Sequence, residues 1–216
     1  MRHLRASPAL AVALLLLSGC GTFTLPNVYL LGDPRPEASG VSDEARMPHL
    51  ELKTVSVPDY LDSTDIVRRK APNEVVTSDK GRWGERLSIG VTHALAGDLA
   101  RRLPNVVIEN RGVYEPSRRL LVDVERFDVG EDGVCTLTAR WRLTGADGKF
   151  PAASEEGTFV QTATSPSDAS VALAMTAAIG QLAGQIAITI QRSLPTGPAE
   201  TPGRAAISAH PVASGP

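Results

Sequence analysis

Apolar and polar positions alternate most cleanly between Val134 and Leu143. Cys135, Leu137, Ala139, Trp141 and Leu143 fall on one side, Thr136, Thr138, Arg140 and Arg142 on the other. Period-two alternation of this length predicts a strand with one buried face. Arg119–Phe127 before it and Gly157–Thr162 after it also read as strands, and Gly130-Glu131-Asp132-Gly133 and Ala146-Asp147-Gly148 supply turns that favour antiparallel pairing in a meander. Upstream, Leu50–Val57 predicts a strand whose phase slips near Lys53-Thr54, as at a bulge, and which Pro58 stops. Short extended pieces at Asp65–Val67 and Glu74–Thr77 flank a turn at Pro72-Asn73, and Asn105–Glu109 adds one more.

Two stretches carry the helical period instead. Trp83, Leu87, Val91, Ala94, Leu95 and Leu99 recur at steps of three and four, predicting a helix from Trp83 to Leu103 that Pro104 ends. The second opens at Ser165-Pro166-Ser167-Asp168, read as an N-cap, a proline at the first helical position and an acid at the third. Val171, Met175, Ile179, Leu182, Ile186 and Ile190 form its apolar stripe, with Ser170, Gln181, Gln185 and Arg192 opposite. Residues 169–191 carry no charge, so a membrane span is an alternative; the Ala, Gly, Ser, Thr and Gln content and the polar stripe favour a core helix on a sheet. The element order predicts an α+β domain: a mainly antiparallel sheet with two helices packed on one face.

The N-terminus has a different pattern. Arg2, His3 and Arg5 precede an uncharged apolar run from Ala9 to Leu17, too short to span a ~30 Å hydrocarbon core. A basic start, a short apolar stretch and small residues read as a secretory signal peptide over residues 1–19. Leu17-Ser18-Gly19-Cys20 resembles a bacterial lipobox. That resemblance implies cleavage before Cys20, a diacylglyceryl thioether on its thiol and an acylated amino group. Gly21 stands where inner-membrane retention signals usually carry Asp, so the expected destination is the outer membrane. Residues 20–48, with two prolines in Gly32-Asp33-Pro34-Arg35-Pro36 and an apolar patch at Tyr29-Leu30-Leu31, read as a lipidated tether. Residues 49–193 are the expected folded domain, and the Pro-, Ala-, Gly- and Ser-rich residues 194–216 an expected disordered tail.

Composition narrows the function mainly by exclusion. The chain has 216 residues, 42% hydrophobic and 21% charged, which suits one globular domain. Losing Arg2 and Arg5 with residues 1–19 lowers the net charge from −2 to −4. A mildly acidic surface lacks the cationic footprint of a nucleic-acid binder. With Cys20 taken by lipid, Cys135 has no disulfide partner and is expected to be buried. One thiol and the scattered His3, His49, His93 and His210 suggest no metal site, and no cofactor is implied.

No phosphate loop, His-Glu-x-x-His helix or Gly-x-Ser-x-Gly elbow occurs, so nothing nominates a catalytic residue. Asp59, Asp62 and Asp65 lack the central Gly and distal Glu of a calcium loop and read as turn and surface carboxylates. His93 reads as a solvent-facing or pairing histidine, and Arg68-Arg69-Lys70 and Arg101-Arg102 as solvated basic runs. Gly180 and Gly184 allow close backbone approach, either to the protein's own sheet or to a neighbouring subunit.

The segment Leu52-Lys53-Thr54-Val55-Ser56-Val57-Pro58-Asp59-Tyr60-Leu61-Asp62, with Ile66-Val67-Arg68, Asn73-Glu74-Val75 and Arg82-Trp83-Gly84-Glu85-Arg86-Leu87, resembles the ABC-type transport auxiliary lipoproteins, the PqiC-like family. A Val-x-Val-Pro-x-Tyr-Leu segment, an Arg-Trp motif at the first helix and a Tyr-x-Leu element after the lipidated Cys are its shared features. Residues 14–110 carry the resemblance; Gly84, where the family often has Ala, and the long Pro-rich tail depart from it.

The resemblance implies a non-enzymatic partner of mammalian-cell-entry (MCE) domain proteins and of inner-membrane transporter components. Such systems move phospholipids or other hydrophobic molecules between the two membranes of a Gram-negative envelope and support its integrity. Cys20 would fix the domain to the outer membrane, facing the periplasm, and the domain would dock the MCE assembly, as a homo-oligomer if it matches a multimeric partner. Pro58, Tyr60, Leu61, Arg82 and Trp83 are the candidate family-motif or partner-surface residues. Two alternatives stay open: a structural envelope lipoprotein that binds peptidoglycan or an assembly machine, and a periplasmic lipid-binding carrier with an apolar cavity between helices and sheet.

Overall fold

The computed structural model describes residues 25–32, 47–110, 115–146 and 151–193. The expected signal peptide (residues 1–19), Cys20 and the expected tail (residues 194–216) lie outside them. Within them the chain runs β1 (Asn27–Tyr29), β2 (His49–Leu52), β3 (Asp65–Ala71), β4 (Glu74–Trp83), α1 (Leu87–Arg102), β5 (Val107–Glu109), β6 (Arg118–Gly130), β7 (Val134–Gly145), β8 (Pro151–Thr162) and α2 (Asp168–Ser193).

The fold is α+β with two described helices, and its eight strands form one mixed sheet. The expectation of a mainly antiparallel sheet is corrected. Among the described strands four pairings are parallel (β1 with β4, β2 with β5, β2 with β6, β3 with β6) and three are antiparallel (β3 with β4, β6 with β7, β7 with β8). Local turns explain the antiparallel ones: Gly133, with φ +76°, closes the β6–β7 turn by donating its N–H to the Gly130 carbonyl at 3.0 Å. No turn announces the parallel pairings, because the connection from β2 to β6 passes through β3, β4, α1 and β5.

β6 is the hub. One edge pairs along its length with β7. Its other edge takes β2 beside Arg118–Leu120 and β3 beside Val129 and Gly130, two strands end to end. Between them the expected irregularity occurs: β2 stops at Leu52, Lys53 and Ser56 donate N–H groups to the carbonyls of Leu120 and Val122, and Ser56 forms an isolated bridge to Asp123. Val55 is buried in this break, and its N–H is taken by the Thr92 hydroxyl of α1 at 2.9 Å.

The core lies between one face of the sheet and the two helices. Cys135, Leu137, Ala139, Trp141 and Leu143 of β7 are each at most 1% exposed, as their alternation requires. They face the α2 stripe of Val171, Met175, Ile179, Leu182, Ile186 and Ile190, all buried. α2 is long and apolar enough to cross a membrane by length and composition, but more than half of its most apolar stretch is covered by protein. α1 packs beside it: the Arg102 guanidinium donates to the Gly180 carbonyl at 3.0 Å and passes close to Gly184. The two glycines face α1, but a Cβ at either would meet its side chains only at ordinary contact distances, so neither the sheet nor the close backbone approach expected of them is seen.

Three boundaries move. The helix expected from Trp83 begins at Leu87, because Trp83 is still in β4, with its N–H on the Thr64 carbonyl at 2.7 Å. The last strand starts at Pro151 rather than Gly157; its first half, on the polar sequence Ala-Ser-Glu-Glu, pairs with β7. Ser167, not Ser165, opens α2: its carbonyl takes the Val171 N–H and its hydroxyl the Ser170 N–H, leaving Pro166 before the helix.

Part of the expected tether belongs to the sheet. Residues 27–29 pair in parallel with Gly81–Trp83. Gly32, at φ +79°, then lies so close to α1 that a Cβ there would come within 2.9 Å of the Ala94 Cα, and it donates its N–H to the Thr176 hydroxyl of α2.

Candidate functional site

The sequence candidates cluster where the β2–β3 loop meets the start of α1. Pro58 begins a tight turn, its carbonyl accepting the Leu61 N–H at 2.9 Å, while the Asp59 carbonyl accepts from Asp62. This turn drives Leu61 into the core, at 1% exposure, and aims the Asp62 carboxylate at α1. Arg86, the residue before the helix, provides no side-chain cap. Asp62 does so from a distance, one oxygen accepting the Ser88 N–H at 3.1 Å and the other pairing with Arg86 at 2.5 Å. Burial pushes the Asp62 pKa up, but the Ser88 hydroxyl and N–H and the Arg86 guanidinium outweigh it, and the net shift is downward. The Leu87 N–H goes to the Ser63 carbonyl, which completes the seam.

The five candidates separate by burial. Leu61 and Trp83 are core residues and cannot meet a partner; Pro58 is half-buried and shapes the turn. Tyr60 is 46% exposed and Arg82 is exposed. The Tyr60 hydroxyl accepts from Arg69 at 3.2 Å, and Arg69 also grips the fully buried Asp128 at 2.6 Å, with Arg126 on the second carboxylate oxygen at 3.0 Å.

The basic run Arg68-Arg69-Lys70, expected to be solvated, is thus largely structural. Arg68 pairs with Asp168 at the start of α2 at 2.6 Å and donates to the Pro166 carbonyl, and Lys70 pairs with Glu74. Nothing in the sequence spacing linked Arg69 to Asp128 or Arg68 to Asp168; strand register brings them together.

No group of three or more His, Cys, Asp or Glu side chains is placed to hold a metal among the described residues. His93 pairs with Glu85 at 3.1 Å on the outside of α1. Cys135 is buried, and burial, followed by the negative Asp128, pushes its thiol up to about 12, far from a reactive thiolate. A cleft of about 640 Å³ opens beside the start of α2, but Arg68, Lys70, Glu131 and Asp132 line it along with Val76, Val129 and Val171. It sits at the end of β3 and the β6–β7 turn, not between helices and sheet, where Phe127, Trp141 and Ile179 are closed to solvent.

The model of the family described as "ABC-type transport auxiliary lipoprotein component" matches residues 29–187, from the end of β1 into the last third of α2. The intermembrane transport lipoprotein PqiC of Escherichia coli (strain K12) is 24% identical over 133 residues, covering 61% of this chain and 71% of that protein. Two solved structures share the fold: an uncharacterized protein at 19% identity and TM-score 0.65, covering 77% of this chain and 99% of the other, and a Xanthomonas campestris protein at 20% identity and TM-score 0.59, covering 77% and 95%. The chain therefore belongs to the ABC-type transport auxiliary lipoprotein family.

Proposed function

We propose that this protein is a non-enzymatic lipoprotein of the outer membrane that docks a periplasm-spanning MCE assembly in an intermembrane lipid-transport system powered from the inner membrane. The family match from residue 29 to 187 carries the reading, and the similarity to an intermembrane transport lipoprotein of Escherichia coli supports it. On this reading Cys20 is cleaved and acylated, and each acyl CH₂ buried adds ~0.8 kcal/mol, so several chains give lasting attachment. The lipid cargo passes through the partner rather than residing in this domain, a division favoured by the closed helix–sheet core and the charged lining of the cleft. Of the family-motif candidates Tyr60 and Arg82 are exposed, and Tyr60 is the one left to meet the partner.

Affinity purification of a C-terminally tagged chain from mildly crosslinked membranes, followed by mass spectrometry, tests this. Co-purification of an MCE-domain protein is the expected result. Peptidoglycan fragments or assembly-machine proteins in its place would favour a structural envelope lipoprotein.

A further inference from the structure

β1 is an edge strand, paired only with β4 among the described residues, and its outer face is apolar. Leu25, Val28 and Leu30 are 78%, 56% and 67% exposed, three of the four most exposed large apolar side chains in the described chain. Val28 and Leu30 point the same way and lie together over Gly84: a Cβ there would stand 2.7 Å from the Leu30 Cδ2 and 3.2 Å from the Val28 Cγ1. Arg82, the register partner of Val28, is exposed beside them, with Asp65 across from it on β3. Scattered exposed apolar residues are ordinary; a contiguous set on one strand edge is not.

The short chain between this patch and Cys20 limits how far it can stand from the Cys20 lipid. Seven Cα steps separate Cys20 from Asn27, at most ~25 Å when fully extended. No residue from Cys20 to Gly32 is charged, and Phe23 adds another apolar side chain on the way. We infer that the β1 edge, through Val28 and Leu30 with Leu25 leading to them, rests in the interfacial layer of the membrane that holds the Cys20 lipid, with Arg82 at the level of the headgroup phosphates. This rests on the acylation of Cys20 proposed above. The domain then lies against the bilayer in a fixed orientation, and the opposite edge of the sheet, β8, faces away from it.

The test uses the full acylated protein in phosphatidylethanolamine/phosphatidylglycerol vesicles, with a nitroxide on Val28→Cys or Leu30→Cys and a reference label on Val160→Cys of β8. Val28 and Val160 are similarly exposed, at 56% and 52%. The collision ratio of oxygen to a water-soluble nickel complex should rise several-fold at positions 28 and 30 relative to 160. An acylated, vesicle-bound protein whose position 28 is as aqueous as 160 overturns the inference alone. A label at 28 immobilised and shielded from both quenchers also overturns it, in favour of a protein partner. An intact mass showing unmodified Cys20 removes the anchor and sinks the acylation reading with it.

Discussion

At the scale of single residues, the Leu52–Asp62 segment ends on a carboxylate that helps to start α1. Asp62 takes over the capping role that Arg86 cannot perform. Asp62→Ala should cost about 1 kcal/mol, measured by urea denaturation at pH 7. The folded Asp62 carboxyl lies below its ordinary value of 3.8, so the unfolded chain binds the proton more readily. Its stabilising contribution is present above that pH and disappears as the pH falls through the folded value, so wild type and Asp62→Ala should converge in stability on acidification. Cys135 gives a second expectation. With its thiol buried and pushed up to about 12, it should resist aromatic disulfide reagents at pH 8 until denaturant is added. Rapid labelling of native protein would contradict its placement. The burial of Cys135 was legible from alternation alone, whereas the Asp62 cap was not, because its donors lie 24 and 26 residues downstream.

Among the elements, the segment around β1 is the one most changed by folding. Its sequence is short, contains Gly32 followed by two nearby prolines, and shows no sustained period, so it reads as tether. In the fold it becomes a strand held through backbone pairing to β4 and through Gly32 against both helices. Gly32→Val would need a left-handed backbone and would press a side chain onto the α1 backbone. A loss of about 1–3 kcal/mol is expected, together with faster amide exchange in β1 than in β7. Unchanged exchange in β1 would mean that Gly32 does not pin it. The β4 extension to Trp83 has a related cause: Ser78–Arg82 is polar, and its end is held by pairing of Gly81–Trp83 with β1 and of Arg82 with Asp65 of β3, not by its own residues.

For the whole molecule, β6 joins the β7–β8 meander to the β2–β5 and β3–β4–β1 portions, and one core runs under all of them. Unfolding should therefore be a single cooperative transition. Trp83 at the end of β4 and Trp141 in the meander report from the two sides, so replacing each in turn with Phe leaves a fluorescence probe for one side. Coincident melts of these two variants with far-UV circular dichroism are expected after allowing for their own stability changes; separated probe-dependent transitions within one variant would show that the two portions unfold independently.

Residue order was enough for the α+β composition, the two helices, the buried face of β7, the antiparallel meander and the family to which the chain belongs. These depend on residue type at fixed short spacings, on local turns, or on motifs readable in order. The parallel pairings, the capture of β1 by the sheet, the Asp62 cap and the roles of Arg68 and Arg69 emerge only in the folded chain. Each needs groups distant in the chain to meet, and backbone hydrogen bonding or ion pairing across such distances leaves no periodic trace in the sequence.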